Sequence, residues 1–205
     1  MNLDATMASA WTSDPCWFVR SSSQRRAFMS AEYAADRVVT LDALLALRQR
    51  WRREGKIVVW SNGCFDLLHA GHVYGLDQAR RLGDILVVGV NGDDAVRALK
   101  GPGRPIYPLV DRLRMIAALR APDLVVSFSE PTPEATLAEL QPDVHVKGRD
   151  YAPPSGKPIP ERGVVESYGG RIVFVDLLPG HSTSELIDRI GQRVAGDGWL
   201  RSHES

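Results

Sequence analysis

The 205-residue sequence has only two cysteines, Cys16 and Cys64, far apart and in no C-x-x-C arrangement. They read as reduced thiols of a cytoplasmic protein rather than as a disulfide framework. A chain this long buries roughly 70% of the surface it exposes unfolded, so its core needs neither a disulfide nor a structural metal. Net charge is also absent, 25 Lys+Arg being matched by 25 Asp+Glu. Bulk attachment to nucleic acid or to an acidic membrane requires a basic excess, so neither is expected as a partner. Long apolar runs are missing: Ile85 to Val90 falls far short of the ~20 residues that span a bilayer. The start of the chain has no apolar signal-like core and carries Asp4 and Asp14, which speaks against a secretory signal. No repeat, no low-complexity tract and no G-x-G-x-x-G after a strand is found, so a dinucleotide-binding motif is not supported.

What remains is the composition of an ordinary soluble globular protein, 44% apolar and 24% charged. Residues 1–37, rich in Ser, Arg and Ala with no sustained apolar period, read as a poorly ordered N-terminal extension within which Met29 is an alternative start. Residues 38–193 read as a single domain and 194–205 as a tail. Leu41, Leu44, Leu45, Leu47 and Trp51 recur at helical spacing between an N-cap at Thr40 and a stop at Gly55. Short, nearly continuous apolar runs predict buried parallel strands at Ile57–Trp60, Ile85–Val90, Leu124–Val126, Val144–Val146 and Ile172–Val175. Amphipathic stretches predict helices at His72–Leu82, Asp93–Leu99, Leu109–Leu119, Pro133–Leu140, Glu161–Tyr168 and Ser184–Val194. Strict alternation predicts an α/β fold, a Rossmann-like doubly wound parallel sheet of about five strands. Ligands of such sheets sit at the carboxyl ends of the strands, so the loops after Trp60, Val90, Val146 and Val175 are the ones to inspect.

The first of these loops, Ser61-Asn62-Gly63-Cys64-Phe65-Asp66-Leu67-Leu68-His69-Ala70-Gly71-His72, contains H-x-G-H. Chance supplies such a tetrad only about 0.01 times in this composition. Two imidazoles three residues apart at a helix start share one face, beside unpaired backbone N–H groups and the positive end of the helix dipole. With Gly71 letting an anion approach the backbone, the pattern describes a polyphosphate site. Cys64 lies in the loop without an adjacent charge to activate it and reads as a small packing residue.

Three more stretches carry cations or donors to the same edge. Lys100-Gly101-Pro102-Gly103-Arg104 reads either as a mobile cationic loop that folds over phosphates or as a solvated surface turn. Arg112 reads either as an active-site cation or as an exposed helical arginine. Gly180-His181-Ser182-Thr183-Ser184-Glu185 holds an S-x-x-E capping box, and a helix start with three hydroxyls is also a phosphate cradle.

SNGCFDLLHAGH resembles the signature of the HxGH nucleotidyltransferases, the cytidylyltransferase-like superfamily. Class I aminoacyl-tRNA synthetases share such a loop, but no KMSKS-like sequence is present. VNGDDAVRALKGPGRPI resembles the matching stretch of the D-glycero-β-D-manno-heptose 1-phosphate adenylyltransferases. Lys147-Gly148-Arg149-Asp150-Tyr151 is similar to their V-K-G-G-D-Y segment, with Arg149 replacing a glycine. If that position needs a positive φ, Arg149 strains the loop; otherwise it adds a cation to it. The loop 152–160 is a few residues longer than is usual there, and His181 replaces a cysteine.

The resemblance implies transfer of AMP from ATP to a sugar 1-phosphate, with pyrophosphate leaving. It implies His69, His72 and Lys100 as catalytic residues. Nucleotide would be bound by Asn62, Gly63, Cys64, Phe65, Gly71, Lys147, Gly148, Asp150, Ser182, Thr183 and Ser184. The acceptor would be held by Asp66, Asn91, Asp93, Arg104 and Arg112. Mg²⁺ is expected on the triphosphate rather than in a protein cage. A sugar kinase on a separate chain is the implied pathway partner, and a homodimer is compatible with the resemblance. Two alternatives stay open: a CTP-dependent cytidylyltransferase for a polyol phosphate such as glycerol 3-phosphate or for a phosphonate, and a non-catalytic nucleotide-binding module.

Overall fold

A computed structural model describes residues 34–196. The N-terminal extension up to residue 33, with Cys16 and Met29, and the tail from residue 197 lie outside the described residues. In chain order the elements are α1 (Leu41–Arg53), β1 (Val58–Gly63), α2 (Ala70–Arg80), β2 (Ile85–Asn91), α3 (Asp93–Lys100) and α4 (Leu109–Ala117). They continue with β3 (Leu124–Phe128), α5 (Glu134–Leu140), β4 (Val144–Gly148), α6 (Arg162–Ser167), β5 (Arg171–Val175) and α7 (Thr183–Gly196). Thr40 caps α1 by accepting from the Ala43 N–H, and Gly55 follows that helix at a φ of 65°.

The five strands are all parallel, in the order β3-β2-β1-β4-β5. Alternation along each strand sends successive side chains to opposite faces, and both faces are covered. Val59, Val88, Val125, Val144 and Val146 pack with Leu76 and Ala79 of α2 and Ile116 and Ala117 of α4. Val58, Trp60, Val87 and Val126 pack on the other face with Leu44 of α1, Leu137 and Leu140 of α5 and Val165 of α6. A side chain at Gly89 of β2 would run into the Trp60 indole, so glycine there is what lets the largest core residue lie across the neighbouring strand.

The amino edge of the sheet is stitched by three aspartates, each placed just before a strand. Asp84 Oδ2 accepts from the Ile57 N–H at 2.9 Å, Asp123 Oδ2 from Leu86 at 2.7 Å and Asp143 Oδ2 from Val58 at 2.7 Å. Asp143 also pairs with the buried Arg48 at 3.1 Å, whose guanidinium donates to the Leu140 and Gln141 carbonyls at the end of α5. These bonds satisfy strand-start donors that the ladder leaves over.

Connectivity reverses between β1 and β4, so the crevice at the topological switch point opens at the carboxyl ends of those two strands. Both run further than their apolar segments, to Gly63 and Gly148, which carries polar positions onto the rim of that crevice.

Candidate active site

A cleft of about 850 Å³ occupies the switch point. Its floor is the end of β1 and the turn after it. Trp60 Nε1 donates to Asn62 Oδ1 at 3.3 Å, orienting the Asn62 amide. Phe65 turns the chain with a φ of 47°, a left-handed conformation that costs a β-carbon-bearing residue on the order of 1–3 kcal/mol. That turn lays its ring over Gly63 and edge-on to His72, with ring centroids 5.2 Å apart. Strain of this kind collects where a loop must hold one shape for a ligand.

His69 is the N-cap residue of α2, yet its side chain makes no cap bond. Instead it stacks on His72 with centroids 3.8 Å apart, and Nδ1 of both rings is buried without a partner. Burial, and then the neighbouring His69, hold His72 down at about 4. Burial first and His181 second also lower His69, against an upward pull from Glu185. Both imidazoles are therefore neutral at pH 7, each with one N–H to donate and no internal use for it.

The opposite lip is the start of α7. Ser182 Oγ accepts from the Glu185 N–H at 3.1 Å, so the capping-box hydroxyl is in place, with Thr183 and Ser184 opening the helix beside it. His181 Nδ1–H donates to the Pro179 carbonyl at 2.7 Å. Two helix amino ends, of α2 and α7, thus face one cleft, and partial positive charge from both falls on it. Gly71 has a packing duty as well. A β-carbon there would lie 2.8 Å from the His181 carbonyl oxygen and 2.9 Å from the His69 ring, so its missing side chain lets the two lips come together at a position that lines the cleft.

Lys100 ends α3 and is exposed on the cleft rim beside Leu99. Four Lys and Arg side chains line the cleft among the described residues, and Lys100 alone has no carboxylate partner. Arg104 pairs with Asp66, Lys147 with Glu161 and Lys157 with Asp150.

Several expected ligand-binding residues turn out to hold the walls. Asp66 is almost fully buried: one oxygen accepts from Ile106 and Tyr107 N–H groups at 2.7 and 3.0 Å, and the other meets Arg104. It ties residues 104, 106 and 107 to the β1 turn, while residues 102, 103 and 106–108 stay exposed. Arg112 is 0% exposed, donating to the Cys64 carbonyl at 2.6 Å, the Tyr107 carbonyl at 3.0 Å and Asp93 at 2.7 Å. Neither Arg112 nor Asp93 reaches the cleft; together they tie the β1 turn, the 101–108 loop and the start of α3 from behind. Asn91 is buried, its amide donating to the Glu130 and Pro131 carbonyls.

On the β4 side, Lys147 and Gly148 reach the cleft with Asp150. A side chain at Gly148 would collide with Leu177 and Asp150, so close packing excludes one. Arg149 neither strains its turn nor charges the cleft. Its φ is not positive, and its exposed guanidinium pairs with Asp176 outside. The Cys64 thiol is pushed up by burial, against Lys100 and Arg112, in keeping with a packing role. Glu161 and His145 were not singled out from the sequence, yet they are the buried pair beneath Lys147. Sixteen residues separate them, and no local pattern marks the contact.

Among the described residues, no group of three or more His, Cys, Asp or Glu gathers that could hold a metal ion. Asp66, Asp150 and Glu161 are all committed to cations of the protein. Nor is any described helix long and apolar enough to cross a membrane.

Residues 60–176 match the family described as cytidylyltransferase-like. The chain is 47% identical over 156 residues to the bifunctional protein HldE of Methylobacillus flagellatus, covering 76% of this chain and 31% of that protein. It is 52% identical over 147 residues to the protein of the same name from Streptomyces coelicolor, covering 72% and 31%. This chain spans about a third of the length of these curated relatives. A lipopolysaccharide core biosynthesis protein from Thermoplasma volcanium aligns in three dimensions with a TM-score of 0.49 at 30% identity, over 60% of this chain and 98% of that one. With more than half its length matched and the histidine pair of the motif set at the switch point, the chain belongs to the cytidylyltransferase-like family and is a nucleotidyltransferase.

Proposed function

We propose that the protein transfers AMP from ATP to a sugar 1-phosphate, with heptose 1-phosphate as the acceptor, releasing pyrophosphate. The observation that carries this reading is the stacked pair His69 and His72, neutral and without internal partners, between two helix amino ends. The acceptor phosphate is already ionised at pH 7 and attacks the α-phosphorus in line, opposite the leaving pyrophosphate, so no general base is needed. His69 and His72 each donate an N–H to α- and β-phosphate oxygens as negative charge shifts onto them. Lys100, uncommitted, neutralises the transferring group, while Ser182, Thr183 and the α7 amino end hold the outer phosphates. Mg²⁺ is expected with the triphosphate as part of the substrate; of the cleft carboxylates Asp66, Asp150 and Glu161 are already paired, which leaves Glu185 and no group that could cage a metal among the described residues. The KGPGRP and VKGRDY segments support the sugar 1-phosphate as acceptor class, and a sugar kinase reaction would supply it. We place the enzyme in the cytoplasm, where ATP is found.

Pyrophosphate release, measured for ATP and CTP against heptose 1-phosphate and glycerol 3-phosphate, tests the reading. Turnover is expected with ATP and heptose 1-phosphate. Preference for CTP and a polyol phosphate would replace both substrates, and no turnover with any pair would leave a binding module.

A further inference from the structure

Lys147 and His145 lie two residues apart on β4 and so on one face, the face that carries α6. Glu161, the residue before α6, reaches between them, and a single oxygen, Oε1, meets both: His145 Nε2 at 3.0 Å and Lys147 Nζ. His145 is 0% exposed, Glu161 1% and Lys147 13%, so the triad is buried except at the ammonium that enters the cleft. Burial lowers His145 and keeps it neutral, so its Nε2–H is a donor to the carboxylate. Burial pushes Glu161 up, but the His145 and Lys147 hydrogen bonds outweigh it and hold the carboxyl at about 2.

This wall differs in kind from the Lys100 rim. Lys147 and Glu161 together carry no net charge, so their long-range pull on a triphosphate is small. The ammonium still has three N–H donors, and Glu161 holds it in one direction. Tyr151 limits it on a further side, with Nζ 5.1 Å from the ring centroid. A compensated, aimed donor suits a neutral hydrogen-bond acceptor, and an uncompensated exposed one suits phosphate.

We propose that Glu161 is a positioning residue that holds Lys147 as a charge-compensated, directional donor for an uncharged acceptor group of the ligand, leaving the phosphates to Lys100 and the histidine pair. The acceptor group is a ring nitrogen, carbonyl or hydroxyl, from either the nucleoside or the sugar. The proposal rests on the nucleotidyl-transfer reading above.

The test compares wild type, Lys147→Met, Glu161→Gln and the double variant K147M/E161Q. Each is titrated with ATP and with inorganic tripolyphosphate by calorimetry, and each is assayed for the KM of the sugar 1-phosphate. Each single change strands a buried partner and lowers the thermal midpoint; the double change strands no charge and recovers it. Tripolyphosphate affinity is expected to stay within about twofold of wild type in the double variant. In contrast, either ATP affinity or the sugar 1-phosphate KM worsens by roughly tenfold, the cost of one charge-assisted hydrogen bond. Loss in ATP binding identifies the nucleoside as the source of the acceptor group, and loss in KM identifies the sugar. E161Q is expected to show the same loss as K147M, without additivity in the double. A double variant that regains both stability and wild-type affinities would reduce the triad to a structural pair and overturn the proposal. Equal weakening of tripolyphosphate would make Lys147 a phosphate ligand and overturn it as well. Wild type that binds neither ATP nor tripolyphosphate would remove the underlying functional reading, and the proposal with it.

Discussion

At the amino edge of the sheet, Asp84, Asp123 and Asp143 spend their carboxylates on strand N–H groups, while at the carboxyl edge His69 and His72 keep buried ring nitrogens without partners. The same β1 takes part in both. One edge shows polar groups arranged to satisfy the backbone, the other polar groups held ready for something outside the chain. Tyr168 Oη and His145 Nδ1 are also buried without partners, so an unsatisfied atom alone does not mark a site; the histidine pair stands out because its unpaired nitrogens lie on residues that line the cleft.

The sharpest way to break that contrast is at the carboxyl edge. His72→Ala is expected to lower kcat by about 10²–10³, the usual cost of losing one transition-state donor, in a variant that still folds. Near-normal turnover in the folded variant would erase the distinction between the edges. At the amino edge the effect should invert. Asp143→Ala leaves the Val58 N–H and part of the buried Arg48 without a carboxylate, costing on the order of 2 kcal/mol in urea unfolding, with kcat unchanged.

Proton linkage sharpens the comparison further. His72 sits at about 4 when folded, against the ordinary 6.5, so between those values the unfolded chain binds a proton that the folded one does not. Its contribution to stability is whole above pH 6.5 and is lost as pH falls toward 4. Urea midpoints from pH 7 to 4 should therefore drop more steeply for wild type than for His72→Ala, by a slope difference of about one proton at most. The smallest effect belongs to the rim. Arg149→Ala removes an exposed pair with Asp176 and should change stability by less than about 0.5 kcal/mol and turnover by less than twofold.

Much of this architecture is legible in the residues themselves. Apolar runs placed all five strands, because both faces of a parallel sheet are buried. They ended early at Trp60 and Val146, because ladder pairing continues where side chains leave the core for the cleft. H-x-G-H located the histidine pair because both rings belong to one helical turn. Arg112 reads from the sequence as a site cation or an exposed one, and it is buried behind the cleft wall. Its burial has a sequence signal: Leu109, Arg112, Leu113 and Ile116 follow helical spacing, which puts the arginine on the apolar face. Asp66 gave no such sign, since its partners lie about 40 residues away in a loop. Glu161 was equally silent, because its two partners on β4 are contacts of the tertiary fold alone.

Asp66 and Arg112 between them fasten the β1 turn to both ends of the segment that follows α3, leaving residues 101–103 as the stretch between Lys100 and the first bolted residue. A loop with that little freedom gives up its conformational entropy when the chain folds, once, and not again at each encounter with substrate. Lys100 can then meet a phosphate by turning its own side chain, with the backbone around it already in the shape it keeps.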